Sequence, residues 1–158
     1  MKDTNCDGHT RRQFCTQAAT LAVFGGAVGT LLPGCGGSPT SPSNVNSLPV
    51  VNGTRGSGVV TLAVGSSSPL ATVGNAALVR TTSGDFLVGH TAQDVFVALG
   101  AVCTHQTCTI TGFNGQIYVC PCHGSTFDLN GHVLSGPAPT ALRQYPAQLT
   151  DGVLTITA

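Results

Sequence analysis

The chain has 158 residues, room for one domain and an appendage. Lys and Arg number 6, Asp and Glu number 6, and charged residues are only 8% of the total. Six cations at zero net charge cannot build a phosphate-neutralising surface, which excludes nucleic acid as a partner. Glycine (21) and proline (9) are frequent beside 41% apolar residues, a balance that favours a small all-β domain over a helical one.

In chain order, residues 1–35 stand apart. Arg11 and Arg12 precede Phe14, and an apolar run from Ala18 to Leu32 leads to Pro33, Gly34 and Cys35. A charged start, a short apolar stretch and small residues at its end make an export leader. The run falls short of the roughly 20 residues that span a bilayer comfortably. Thr10-Arg11-Arg12-Gln13-Phe14 resembles a twin-arginine signal, the address for proteins exported already folded; Cys15 stands where leucine is commoner. Leu32-Pro33-Gly34-Cys35 resembles a lipobox, which makes Cys35 a candidate for lipidation after cleavage, with a retained, uncleaved anchor as the alternative. Either outcome attaches the chain to the extracytoplasmic (periplasmic) face of a bacterial membrane. Cys6 and Cys15 belong to this leader and carry no inferred chemistry. Nothing after it reads as a second membrane-spanning stretch.

Residues 36–56 are rich in Ser, Pro, Gly and Asn and cannot bury enough apolar surface to order themselves, so a flexible tether is expected there. The globular domain is expected over residues 57–158. Residues 59–64, 77–81, 86–89, 95–102, 117–120, 147–150 and 153–157 read as strands. Asn114-Gly115, Asn130-Gly131 and Asp151-Gly152 read as two-residue hairpin turns. No segment of the domain has a helical period, and there is no internal repeat. The expected fold is antiparallel β.

Two short boxes concentrate the chemistry. Residues 102–108, VCTHQTC, hold Cys103, His105 and Cys108; residues 120–125, CPCHGS, hold Cys120, Cys122, His123 and Ser125. The Asn114-Gly115 turn folds the chain between them back on itself, which sets two loops at one end of a β unit. Cys103-x-His105 and Cys120-x-x-His123 then supply one cysteine and one histidine each, a metal-ligand set. A zinc site stabilising a binding module without redox function is one reading. Zinc fingers, however, usually gather two cysteines in one half and two histidines in the other, and zinc leaves Cys108 and Cys122 unexplained. Two thiolates and two neutral imidazoles fit a [2Fe–2S] centre with cysteines on one iron and histidines on the other. Imidazoles in place of thiolates remove negative charge, so an added electron costs less. Each also keeps a second nitrogen that can hold a proton near neutral pH.

Residues 103–108 and 120–125 resemble the paired boxes of Rieske iron–sulfur proteins, especially the disulfide-bearing subunits of cytochrome bc-type complexes. Gly136-Pro137-Ala138-Pro139 resembles their proline-rich loop over the cluster. The resemblance covers about residues 59–158. It implies a Rieske-type antiparallel β-sandwich with a small cluster-binding subdomain. It also implies one [2Fe–2S] cluster, with Cys103 and Cys120 on the inner iron and His105 and His123 on the outer. Cys108 and Cys122 would form a disulfide, and Ser125 would donate a hydrogen bond to a cluster sulfur. The implied function is one-electron, proton-coupled transfer in a membrane-associated quinol-oxidising complex. The donor would be a quinol or another reductant and the acceptor a cytochrome or another redox protein. The chain would be a subunit of an oxidoreductase, not a complete enzyme. The small Rieske subunit of a molybdenum oxidase such as arsenite oxidase is similar too and stands as the alternative.

Three positions depart from the family pattern. Gln106-Thr107 replaces an apolar–glycine pair, Phe127 stands where high-potential members carry tyrosine, and the stretch between the boxes is short. His90 and His132 are expected to be surface or structural residues, Tyr118 and Phe113 core.

Overall fold

The computed structural model describes residues 44–158. Arg11, Arg12, Cys6, Cys15, Cys35 and the first part of the expected tether lie outside the described residues. The strands in chain order begin with β1 (Asn46–Ser47), β2 (Val50–Asn52), β3 (Thr54–Gly56), β4 (Val59–Ala63) and β5 (Ala76–Thr81). They continue with β6 (Gly84–Ala92), β7 (Val95–Gly100), β8 (Gly112–Phe113), β9 (Tyr118–Val119) and β10 (Thr126–Phe127). The last are β11 (Val133–Ser135), β12 (Gln144–Tyr145), β13 (Ala147–Thr150) and β14 (Val153–Thr157). A single 3₁₀ turn, Pro69–Ala71, joins β4 to β5 and is capped by the Ser68 hydroxyl, which accepts from the Leu70 N–H. Among the described residues no helix is long and apolar enough to cross a membrane.

Three sheets result, in the orders β12-β7-β6-β5-β2, β13-β14-β4-β3 and β1-β8-β9-β10-β11. The first lies between the other two, and the side-chain alternation of its strands shows why. Leu78, Leu87, Val97 and Leu99 enter one core; Ala77, Val79, Phe86, Val88, Phe96 and Ala98 enter the other. A strand buried on both faces has no polar side to alternate with, so β5, β6 and β7 read as continuous apolar runs. Val60, Leu62, Leu154 and Ile156 of the second sheet close the outer core. The other core runs beneath the third sheet and takes in Cys103, Cys120, Tyr118 and Phe127. The two boxes are therefore rooted in a hydrophobic core rather than hung on loops alone.

The expected antiparallel β fold with a small box-bearing sheet is present, but three expectations need correction. First, the Ser/Pro/Gly-rich stretch expected as tether through residue 56 supplies β1, β2 and β3. Leu48 is buried, and β2 pairs parallel with β5, with Val51 beside Val79. A few apolar residues and a ready sheet edge order a segment whose composition alone argues otherwise. Gly53 lets the chain pass from one sheet to the next: a Cβ there would sit 2.8 Å from Val60 Cγ1 and 2.9 Å from Val79 Cγ1.

Second, Asn114-Gly115 is not a two-residue hairpin. The Asn114 carboxamide oxygen accepts from the Gln116 and Ile117 N–H groups at 3.0 and 2.9 Å, so residues 114–117 form a wider, side-chain-capped turn. Third, Asn130-Gly131 lies in a similar loop, where Asp128 Oδ1 accepts from the Asn130 and His132 N–H groups. Only Asp151-Gly152 is the expected two-residue turn, with both φ angles positive at 50° and 75°.

Candidate metal centre

Box 1 leaves β7 and returns to β8; box 2 links β9 to β10. In box 1 the Cys103 N–H donates to the Cys108 carbonyl at 2.8 Å and the isolated bridge Val102–Thr109 closes its base. In box 2 the Cys120 N–H donates to the Ser125 carbonyl at 2.8 Å and the Gly124 N–H returns to the Cys120 carbonyl at 3.1 Å. Gly124 turns the chain at φ +71°, a conformation glycine adopts without steric cost. Each box is thus a small hydrogen-bonded ring that fixes where its side chains point.

The two boxes meet as the sequence suggested. Cys108 and Cys122 form a disulfide with their Cα atoms 6.5 Å apart. Cys103 and Cys120 are the free cysteines among the described residues, only 3% and 1% exposed. His105 and His123 face each other edge to face, ring centroids 4.7 Å apart. His105 is half-buried and His123 is exposed, so thiols lie inside and imidazoles outside. The Sγ atoms of Cys108, Cys120 and Cys122 all lie within 4.8 Å of one another, but two of these are spent on the disulfide. Of the three, Cys120 alone keeps a free thiol.

Several features fit this pocket to a cluster of that donor set. Nδ1 of His105 is buried without a hydrogen-bond partner in the protein, which leaves its lone pair for a metal. Burial pushes the Cys120 thiol up, and the neighbouring Cys103 thiol adds to the rise; the backbone N–H groups of Cys122 and His123 oppose it. Two amides aimed at one sulfur are the donors a sulfur-borne negative charge requires. Bare thiolates packed this closely without a cation would repel each other.

The proline-rich loop is tied to both boxes, which residue spacing did not reveal. Ser125 is wholly buried, and its Oγ accepts from the Ala138 N–H at 3.1 Å. Its own hydrogen stays free to donate elsewhere. Thr104, between Cys103 and His105, donates its hydroxyl to the Thr140 carbonyl at 2.6 Å. Gly136 turns the loop at φ +94° directly over Ser125: a Cβ there would lie 2.5 Å from Ser125 Cα. The signals available in sequence were a hydroxyl residue between two candidate ligands and a glycine before a proline. Neither names its partner, which lies 36 residues away for Thr104 and 13 for Ser125.

The remaining singled-out residues are structural. His90 is buried, stacks on Phe96 at 4.3 Å and places Nδ1 2.9 Å from the Leu70 carbonyl oxygen, which it must therefore donate to. His132 is exposed and pairs with Asp128 at 3.0 Å. Tyr118 is fully buried and packs on half-buried Phe113 at 5.2 Å. Burial pushes the Tyr118 hydroxyl far up, so it stays neutral. Phe127 is also fully buried, in the same core as Cys103 and Cys120.

A domain of stacked antiparallel sheets, with two Cys/His boxes joined by a disulfide at one end, has the layout of a metal-binding domain whose candidate donors are thiols and imidazoles. The family model described as the Rieske [2Fe-2S] domain matches residues 61–146, more than half of the chain, and the chain belongs to that family. The cofactor of this domain family is one [2Fe–2S] cluster. A cytochrome b6-f complex iron-sulfur subunit of Prochlorococcus marinus strain MIT 9515 is 34% identical over 87 residues, 52% of this chain and 49% of that protein. The chain thus spans about half that relative's length. The subunit of strain MIT 9312 is 30% identical over 162 residues, 92% of this chain and 83% of that one. Among solved structures, the plasma membrane Rieske protein PetC3 from Synechocystis PCC 6803 matches with a TM-score of 0.52 at 29% identity. That match covers 61% of this chain and 99% of PetC3.

Proposed function

We propose that Cys103 and Cys120 hold one iron of the cluster and His105 and His123 the other. In this reading the domain carries single electrons as the iron–sulfur subunit of a membrane-associated quinol-oxidising complex. The observation that carries the ligand assignment is the layering: two free, buried thiols beneath two imidazoles that open outward. When bound, the cluster supplies one-electron redox chemistry. The chain's own residues set its terms. Two neutral imidazoles keep the site's charge low enough to accept an electron readily. The outward ring nitrogens of His105 and His123 hold or release a proton, so electron and proton can move together at the exposed edge. The Cys122 and His123 amides and the Ser125 hydroxyl steady charge on sulfur, while the core excludes water from the thiols.

The partner assignment is supported by the relatives, which are named as cytochrome b6-f complex subunits. The twin-arginine-like Arg11-Arg12 and the candidate lipidation site Cys35 support export and attachment at the periplasmic face. The Cys108–Cys122 disulfide supports an oxidising compartment. Membranes from cells lacking the chain should lose quinol-dependent cytochrome reduction, restored by wild type but not by Cys103→Ser. Arg11→Lys with Arg12→Lys should leave the holoprotein in the cytoplasm. Intact quinol oxidation alongside loss of a molybdenum-dependent oxidase would move the chain to that other complex.

A further inference from the structure

Three sulfurs crowd the junction of the boxes. Those of Cys108, Cys120 and Cys122 lie within 4.8 Å of one another; two are joined, and the third belongs to a free cysteine. A thiol held beside a disulfide is a nucleophile next to its electrophile, and exchange between them needs no outside oxidant.

We infer that, before the cluster is inserted, Cys120 exchanges into the Cys108–Cys122 disulfide, so that iron–sulfur loading must precede formation of that disulfide. The inference rests on the ligand role given to Cys120 above. In the exchange, Cys120 Sγ attacks Cys108 Sγ and gives up its proton as the new bond forms. A Cys108–Cys120 bond forms as the Cys108–Cys122 bond breaks. Cys122 leaves with the bonding pair and takes up the proton that Cys120 gave. One disulfide and one thiol stand on each side, so nothing is oxidised or reduced overall. Attack on Cys122 would close a ring across Pro121 alone, whose fixed φ resists it.

The product traps the site. A sulfur needed for iron is locked in a disulfide, and the freed thiol belongs to Cys122, an exposed residue at the surface of the box. Once the Cys120 sulfur is bound to iron, it no longer attacks, and the disulfide is safe. A chain loaded in a reducing compartment and oxidised only after export never meets the trap.

The test starts from full-length holoprotein. Iron is stripped with a chelator without reductant, the chain is held at mildly alkaline pH, and samples are alkylated with iodoacetamide and mapped by mass spectrometry. Label should move from Cys120 to Cys122 with time, and a Cys108–Cys120 cross-linked peptide should appear. The holoprotein should show neither, and Cys120→Ser, which does not load a cluster, should keep Cys108–Cys122 intact under the same incubation. Cluster yield on reconstitution with iron and sulfide should fall as the exchanged fraction rises, and a thiol reductant should restore it. An unchanged Cys108–Cys122 pair would overturn the inference. So would a scrambled mixture involving Cys103 and the leader cysteines, the mark of unfolding rather than local attack. Exchange with undiminished reconstitution would overturn the loading order and the ligand role of Cys120 together.

Discussion

Gly136 offers a quantitative test of how the proline-rich loop is held. Gly136 and Gly115 have nearly the same positive φ, +94° and +96°. Alanine at either position pays the left-handed penalty, about 1–2 kcal/mol. At Gly115 nothing lies within 4 Å of the added Cβ, so that penalty is the whole cost. At Gly136 the Cβ would fall 2.5 Å from Ser125 Cα and 2.9 Å from Ser125 N, both backbone atoms of box 2 that cannot swing aside. Relieving such overlap typically costs about 1–3 kcal/mol. Lifting the loop also breaks the Ala138 N–H···Ser125 Oγ bond, a further ~0.5–1.5 kcal/mol. Gly136→Ala should therefore be less stable than Gly115→Ala by roughly 2–4 kcal/mol. Both variants can be compared with wild type as oxidised holoproteins in guanidinium, following the visible absorption of the cluster. Equal losses in the two variants would refute the reasoning, since they would mean that the loop does not press on Ser125.

The other predictions follow from single contacts. Cys108→Ser opens a link of sequence separation 14 and should cost about 3 kcal/mol by loop entropy while the cluster still assembles, read by iron content and thermal bleaching; iron loss as complete as in Cys103→Ser would contradict the sorting of ligands from disulfide. Burial raises the Asp128 carboxyl, but the His132 side chain and the His132 and Asn130 N–H groups outweigh it and hold the group below its ordinary value. A depressed carboxyl stabilises the fold above its unfolded pKa and loses that contribution as pH falls through the folded one. Asp128→Asn should accordingly flatten the acid limb of the stability–pH curve, and an unchanged limb would contradict the contact. Phe127→Tyr places a hydroxyl in the core shared with Cys103 and Cys120; a hydrogen bond to sulfur there would raise the reduction potential by roughly 20–60 mV. A folded, fully loaded mutant with an unchanged or lower potential would show that residue 127 does not face a cluster sulfur.

The centre was the most legible part of this sequence because ligand chemistry demands particular residues at short spacing. Cys103-x-His105 and Cys120-x-x-His123 carry that demand on their face. The central strands were legible for a similar reason: burial on both faces writes a continuous apolar run at 95–100. What could not be read depends on contacts distant in sequence. Strands β2 and β3 are completed by the edges that β5 and β4 offer them, partners that the short runs at 50–52 and 54–56 do not name. At the Asn114 and Asp128 turns, Asn-Gly marks a reversal without saying how a side chain will cap it. The disulfide pairing came from resemblance, and the Thr104–Thr140 tie had no local signal at all.

In the proposed centre, two cysteines and two histidines of these boxes hold a [2Fe–2S] cluster. This ligation is tested most directly by pulsed EPR on the reduced protein, produced with nitrogen-15 in its histidines alone. Two irons and two acid-labile sulfides per chain are expected, with couplings from two histidine nitrogens, one lost in His105→Cys and the other in His123→Cys. A colourless protein holding one zinc, or a reduced cluster without histidine nitrogen coupling, would contradict it.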